Sequence, residues 1–90
     1  MERAVITVLG KDKVGIIAAV SKVLADSNVN ILDISQTLMQ DIFTMVMLTD
    51  ITSSSVTFGE LADKLEAVGR DMALQIKIQH EDIFNSMHRI

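Results

Sequence analysis

Two predicted strands carry apolar side chains on both faces, and this feature constrains the fold more than any other. They are Arg3 to Leu9, near the amino terminus, and Phe43 to Leu48, in the middle of the chain. Side chains alternate between the two faces of a strand, so a strand that is apolar on both faces must be covered on both. We therefore expect these two strands to lie in the interior of a sheet.

The other two predicted strands carry polar side chains on at least one face. From Asn30 to Met39 the apolar spacing changes parity, because Ile31 and Ile34 cannot share a face of a regular strand, and this indicates a β-bulge. The last strand alternates apolar and polar side chains from Met72 to Gln79, with Lys77 protecting an exposed edge. Both patterns are typical of edge strands.

Two amphipathic segments at helical spacing separate the strands. The first runs from Lys13 to Asp26, and Asn28 follows as a candidate for the left-handed position that ends a helix. The second is expected to begin near Thr57, which has capping-box spacing with Glu60, and to end at Gly69.

The order strand, helix, strand, strand, helix, strand predicts an α+β fold, the ferredoxin-like βαββαβ sandwich. Its antiparallel sheet has the order 4-1-3-2, with two helices on one face, so the doubly apolar strands become central and the others become edges. We expect residues 1–90 to form a single domain, with a core over 1–80 and a short C-terminal helix in the tail, 81–90. This tail either folds back over the sheet or docks on a second subunit through its apolar residues Ile83, Phe84, Met87 and Ile90.

Composition argues against several classes of function. A net charge of −4 with 3% aromatic residues lacks both the basic surface and the stacking side chains of a nucleic-acid-binding sheet. Cysteine is absent, which removes disulfides, thiolate catalysis and cysteine metal sites. There is no signal-peptide pattern, and no apolar run approaches the roughly 20 residues of a membrane span. We expect a cytoplasmic protein with no nucleic-acid or membrane partner.

The sequence also lacks the side-chain arrangements that are typical of catalytic and metal-binding sites. No carboxylate pair with a histidine and no Ser-His-Asp set stands at plausible sites, so we do not expect an enzyme. His80 and His88 match no recognised ligand spacing, and we expect neither a metal site nor a cofactor.

The stretch GKDKVG, from Gly10 to Gly15, lies between the first strand and the first helix. Glycines on both sides of Asp12 let the backbone approach a ligand, and the first N–H groups of a helix have no partner within it. A small carboxylate fits such a site. The same residues also have a purely structural explanation, in which Asp12 caps the helix and Gly10 closes a tight turn.

The segment GKDKVGIIAAVSKVLADSNVNI resembles the first half of an ACT domain, in which a loop containing glycine and aspartate precedes a helix and a strand that opens on Asn-Ile. The matching positions are Gly10, Asp12, Gly15, Asn30 and Ile31. The resemblance covers residues 1–80. It extends to small stand-alone ACT proteins and to the ACT modules of the glycine-cleavage repressor and formyltetrahydrofolate deformylase.

This resemblance implies a regulatory module that binds a small-molecule effector, commonly an amino acid, at a subunit interface near the loop. It further implies a homodimer that acts on a separate enzyme or regulator. The alternative is a structural association module without a metabolite ligand. The ligand-binding residues predicted on this basis are Gly10, Lys11, Asp12, Val14, Gly15, Ile16, Asn30 and Ile31.

Overall fold

The computed structural model describes residues 1–87, except for the side chain of Met87. His88 and Ile90, which belong to the predicted tail, lie outside the described residues. The elements within 1–87 follow in the order β1 (Arg3–Lys11), α1 (Ile16–Asp26), β2 (Asn30–Met39), β3 (Ile42–Asp50), α2 (Phe58–Met72), β4 (Leu74–His80) and α3 (Glu81–Met87).

The four strands form one antiparallel sheet in the order β2-β3-β1-β4, which confirms the predicted ferredoxin-like topology. The doubly apolar strands β1 and β3 are the central ones, as expected. On the helix-covered face, Ile6 of β1 lies between Met47 of β3 and Ile78 of β4. Leu24 of α1 and Leu61 of α2 are buried in the same core. Both long helices therefore cover the same face of the sheet.

The C-terminal helix α3 contacts β1 and β4 of its own chain. Arg3 of β1 pairs with Glu81 of α3 at 3.5 Å between guanidinium and carboxylate. On the outer face of β1, Val5 is only 5% exposed, whereas Leu9, four residues along the same face, is 45% exposed. The outer face of the sheet is therefore covered at one end and open at the other.

Two local predictions about the edge strand β2 and the turn before it are confirmed. The β2–β3 register shifts between Ile31 and Asp33, which leaves Leu32 as the extra residue of a bulge. Asn28 adopts the left-handed conformation at φ 58°, and its side-chain amide donates to the Ser53 carbonyl at 2.9 Å.

The start of α2 is also as predicted. Thr57 is the N-cap, its hydroxyl accepts from the Glu60 N–H at 3.1 Å, and the Glu60 carboxylate accepts from the Thr57 N–H at 3.1 Å. These hydrogen bonds favour the ionised carboxylate, so they hold the pKa of Glu60 below its ordinary value. The positive end of α2 is thus occupied by side chains of its own first turn.

The predicted end of α2 at Gly69 is wrong. The helix continues to Met72, the left-handed position belongs to Ala73 at φ 55°, and β4 begins at Leu74 rather than at Met72. Gly69 is needed for a different reason: a Cβ at this position would lie 2.7 Å from the Leu74 carbonyl oxygen. The glycine permits a close approach between α2 and the start of β4.

Gly69→Ala should lower the free energy of unfolding by about 1–3 kcal/mol, because the new methyl group meets backbone that cannot move aside freely. Gly59→Ala is the matched control. Gly59 also lies in α2 but its Cβ would meet nothing within 4 Å, so the change should raise stability by up to about 1 kcal/mol. Urea unfolding at one protein concentration measures both. Equal effects of the two substitutions would contradict the close-approach explanation.

Two buried hydroxyls differ in their partners. Thr49 donates to the Ala4 carbonyl at 2.8 Å, whereas the hydroxyl of Ser27, at the C-terminal end of α1, has no hydrogen-bond partner among residues 1–87. Thr49→Val should lower the free energy of unfolding by about 1 kcal/mol, because it removes the hydrogen bond to the Ala4 carbonyl. Ser27→Ala should be neutral or stabilising in the same urea assay. A greater loss in Ser27→Ala than in Thr49→Val would show that the Ser27 hydroxyl is paired in solution.

Candidate functional site

Residues 12–15 connect the end of β1 to the start of α1, and they are held by bonds to the two neighbouring chain reversals. The Asp12 N–H donates to the Asp41 carbonyl at 2.8 Å, in the β2–β3 turn. The Lys13 ammonium donates to the Met72 carbonyl, at the end of α2. The loop is therefore fixed by backbone acceptors on either side of it.

The predicted helix start at Lys13, with Asp12 as its cap, is wrong. The helix begins at Ile16, and its N-cap is Gly15, which has φ 92° and makes no side-chain capping bond. The first intrahelical hydrogen bond runs from the Ala19 N–H to the Gly15 carbonyl at 2.9 Å. Gly15 turns the chain through a left-handed conformation that favours glycine, so Asp12 stays too far upstream to act as a cap.

The N–H groups of Ile16, Ile17 and Ala18 consequently precede the first bond of α1 and point out of the helix end. No acidic residue occupies the first turn of α1, in contrast to Glu60 in α2. A helix N-terminus carries partial positive charge and presents its N–H groups to anions. The start of α1 is thus suited chemically to receive a carboxylate.

A depression lies beside this helix start. Its volume is about 260 Å³, several times the roughly 30 Å³ of one water molecule in the liquid, and it is open to solvent. Its lining residues are Asp12, Lys13, Gly15, Ile16, Ile17, Ala18 and Phe43. Asp12 brings a carboxylate and the start of α1 brings N–H groups, whereas the Lys13 ammonium is already bonded to the Met72 carbonyl. This combination offers both donors for an anion and an acceptor for a cation.

Of the predicted ligand-binding residues, Asp12, Gly15 and Ile16 line the depression. Ile16 is 3% exposed, so it presents backbone rather than side chain. Gly10 and Lys11 are the last residues of β1, paired with Phe43 and Ile42. Val14 is 99% exposed at the tip of the loop, outside the depression.

Asn30 and Ile31 lie at the opposite end of the sheet. Asn30 pairs with Asp50, whereas Gly10 pairs with Phe43, and these two β3 positions are separated by roughly 23 Å of strand. One protomer therefore does not bring Asn30 to the loop.

Four lining residues are not among the predicted ligand-binding residues: Lys13, Ile17, Ala18 and Phe43. Lys13 follows the predicted Asp12, and Ile17 and Ala18 follow Ile16 in the first turn of α1, so a correct placement of the helix start would have found them. Phe43 is found from topology, since it is the neighbour of Gly10 in the central pair of strands.

A second, larger cavity of about 560 Å³ lies at the other end of the sheet, and its lining residues are Met1, Glu2, Arg3, Thr52, His80, Glu81 and Asp82. Several of its polar groups already have partners within the chain. Arg3 pairs with Glu81 at 3.5 Å, His80 lies 3.7 Å from Glu2, and the Glu2 N–H donates to the Thr52 hydroxyl at 2.7 Å. These groups are paired with one another, whereas the first N–H groups of α1 have no partner within the helix, so we place the candidate site at the start of α1.

Within residues 1–87, no three His, Asp or Glu side chains are grouped so that they would hold a metal ion. No helix in this part of the chain is long and apolar enough to span a membrane.

Comparison with known proteins identifies the family to which this chain is similar. Residues 2–79 match the ACT domain family. A UPF0237 protein of Methanocaldococcus jannaschii is 52% identical over 90 residues, covering 100% of both chains. The structure of an ACT domain protein from Streptococcus pneumoniae is 41% identical, with a TM-score of 0.79, and the match covers 92% of this chain and 93% of that one.

Two more distant structures share the fold. One is a formyltetrahydrofolate deformylase from Pseudomonas syringae, 20% identical with a TM-score of 0.82 over 89% of this chain and 28% of that one. The other is titled a putative glycine cleavage system transcriptional repressor, 24% identical with a TM-score of 0.77 over 88% and 45%. Both agree with the resemblance found from the sequence. The chain therefore belongs to the ACT domain family, whose members are regulatory modules that bind small molecules.

Proposed function

We propose that this chain binds an amino acid at the start of α1, does so as a homodimer, and regulates a separate enzyme or regulator. The observation that carries the proposal is the uncapped N-terminus of α1 beside a solvent-open depression. Membership of the ACT domain family supports it.

The charges around the depression fit a zwitterion. The carboxylate of an amino acid would accept from the N–H groups of Ile17 and Ala18, where the helix dipole favours negative charge. The ammonium group would lie against the carboxylate of Asp12, which is exposed. An ionised carboxylate accepts only, and an ammonium group donates only, so the two ends of the ligand cannot exchange places without loss.

A homodimer is favoured by an apolar strip along α1 and the edge of the sheet. Its exposed large hydrophobic side chains on the helix-covered side of the sheet are Ile17, Ile34 and Leu38. Met39 and Ile42 are also exposed, at the same end of the sheet but on its opposite face. The outer edge of β2 also carries backbone groups that no strand of its own chain pairs, since β2 is the end strand of the sheet. Exposed apolar side chains and an unpaired strand edge both favour a partner. A second copy of β2 is the simplest one.

A two-fold axis through the middle of β2 would pair it antiparallel with its copy. The first residue of the second β2 would then lie beside Met39, the last residue of the first. Met39 pairs with Ile42 of β3, and Ile42 pairs with Lys11 of β1. Met39 therefore lies at the loop end of the sheet. In this arrangement Asn30 of the partner subunit lies at the same end of the sheet as the Gly10 to Gly15 loop, three strand spacings or roughly 14 Å from β1. This is closer than the separation of Asn30 from the loop within one protomer.

The structural alternative rests on the same strip. An association module needs only the apolar surface and the β2 edge, and it leaves the start of α1 without a ligand. The two functions differ in whether an amino acid changes the behaviour of the dimer. Calorimetry separates them, and sedimentation tests the interface that both require.

Isothermal titration calorimetry against each of the common amino acids should find at least one that binds. Asp12→Ala should weaken that binding about tenfold or more, because it removes the acceptor of the ammonium group, while the oligomeric state is unchanged. Asp63→Ala is the control, since Asp63 is an exposed carboxylate of α2 outside the depression. Absence of heat with every amino acid would favour the association module.

Leu38→Glu should dissociate the dimer at micromolar concentration, because it places a charge in the apolar strip on β2. Sedimentation velocity measures the effect. Ile83→Glu is the control, because Ile83 is an exposed apolar residue of α3 and lies outside the strip. A wild-type monomer at the same concentration, or equal effects of the two substitutions, would contradict the proposed interface.

A further inference from the structure

The Lys13 ammonium joins two parts of the chain that are 59 residues apart. It donates to the carbonyl of Met72, the last residue of α2. The last carbonyls of a helix lack intrahelical partners and carry partial negative charge, so an ammonium group stabilises them. Among residues 1–87, no carboxylate lies within 4.0 Å of Lys13, and its charge is therefore directed at the end of α2.

The turn from α2 into β4 also packs tightly against the end of β1. Leu74 pairs with Gly10, and a Cβ on Gly10 would lie 2.5 Å from a methyl carbon of Leu74. The Leu74 carbonyl closes against Gly69 on the other side. Movement of this turn is therefore transmitted to the strand that leads into the Gly10 to Gly15 loop.

We propose that Lys13 is a positioning residue that clamps this loop between two chain reversals. The Asp12 N–H attaches the loop to the β2–β3 turn at Asp41, and the Lys13 side chain attaches it to the α2–β4 turn at Met72. While both hydrogen bonds are made, local unfolding of the loop also requires local unfolding of the α2–β4 turn. Loss of the Lys13 bond frees both of them together.

The clamp has a consequence for regulation, and this consequence rests on the proposed function. Coupling free energies are reciprocal, so a ligand that orders the loop also orders the α2–β4 turn. From there the effect reaches β4, which is the second edge of the sheet and leads directly into α3. Occupancy at the start of α1 would thereby alter a surface that the ligand does not touch.

Native-state hydrogen exchange on the ligand-free protein tests the clamp without reference to any ligand. Two amides report it: Asp12, which donates to Asp41, and Ala73, which donates to the Gly69 carbonyl. In Lys13→Met, which keeps the aliphatic stem and loses the charge, both amides should exchange about three- to tenfold faster, with the core amide of Ile6 unchanged. Lys13→Arg should restore slow exchange, because a guanidinium group also donates to a carbonyl.

Lys22→Met is the control, since Lys22 is an exposed lysine of α1 that pairs only with Asp26. It should leave the Asp12 and Ala73 amides unchanged. Faster exchange at Ala73 alone would reduce Lys13 to a helix cap and overturn the clamp, as would no change at either amide. Because Lys13 is exposed, Lys13→Met is expected to fold. A failure of the calorimetric screen would count against amino-acid binding and leave this result standing.

Discussion

The pairing of β1 on both of its edges is the constraint on which the rest of the structure depends. It bonds to β3 from Arg3 to Lys11 and to β4 from Ala4 to Gly10, so its last residues are fixed at one end of the sheet. The chain must leave the sheet there, and Gly15 then turns it into α1 in a left-handed conformation. The N–H groups at the start of α1 are therefore positioned by sheet hydrogen bonds rather than by capping side chains.

Much of the fold follows from local patterns that have one physical cause each. A strand that is apolar on both faces must be central, a change of parity requires a bulge, and a Thr57–Glu60 pair three residues apart satisfies the N–H groups of a helix start. A glycine in the sequence is a less specific signal for a helix boundary. Gly69 has the sequence signal of a helix stop but serves a close approach, and Gly15 rather than Asp12 defines the start of α1.

The candidate site is harder to predict, because the order of the strands decides which distant residues meet. Asn30 and the glycine loop appear within one continuous motif, yet they occupy opposite ends of the sheet because the helix between them carries the chain back. The bond from Lys13 to Met72 links residues that no local pattern connects. Phe43 enters the depression only because β3 pairs with β1. In the proposed dimer, antiparallel pairing of two β2 strands brings Asn30 of one copy to the loop end of the other.

In the proposed site, the backbone amides at the start of α1 form the ligand-binding surface. Two-dimensional ¹⁵N–¹H NMR during titration with the amino acid of highest affinity shows which amides the ligand meets. We expect the largest amide shifts at Gly15, Ile16, Ile17 and Ala18, because the carboxylate would bind at this helix end. Shifts concentrated instead at Arg3, around the cavity at the other end of the sheet, would contradict it.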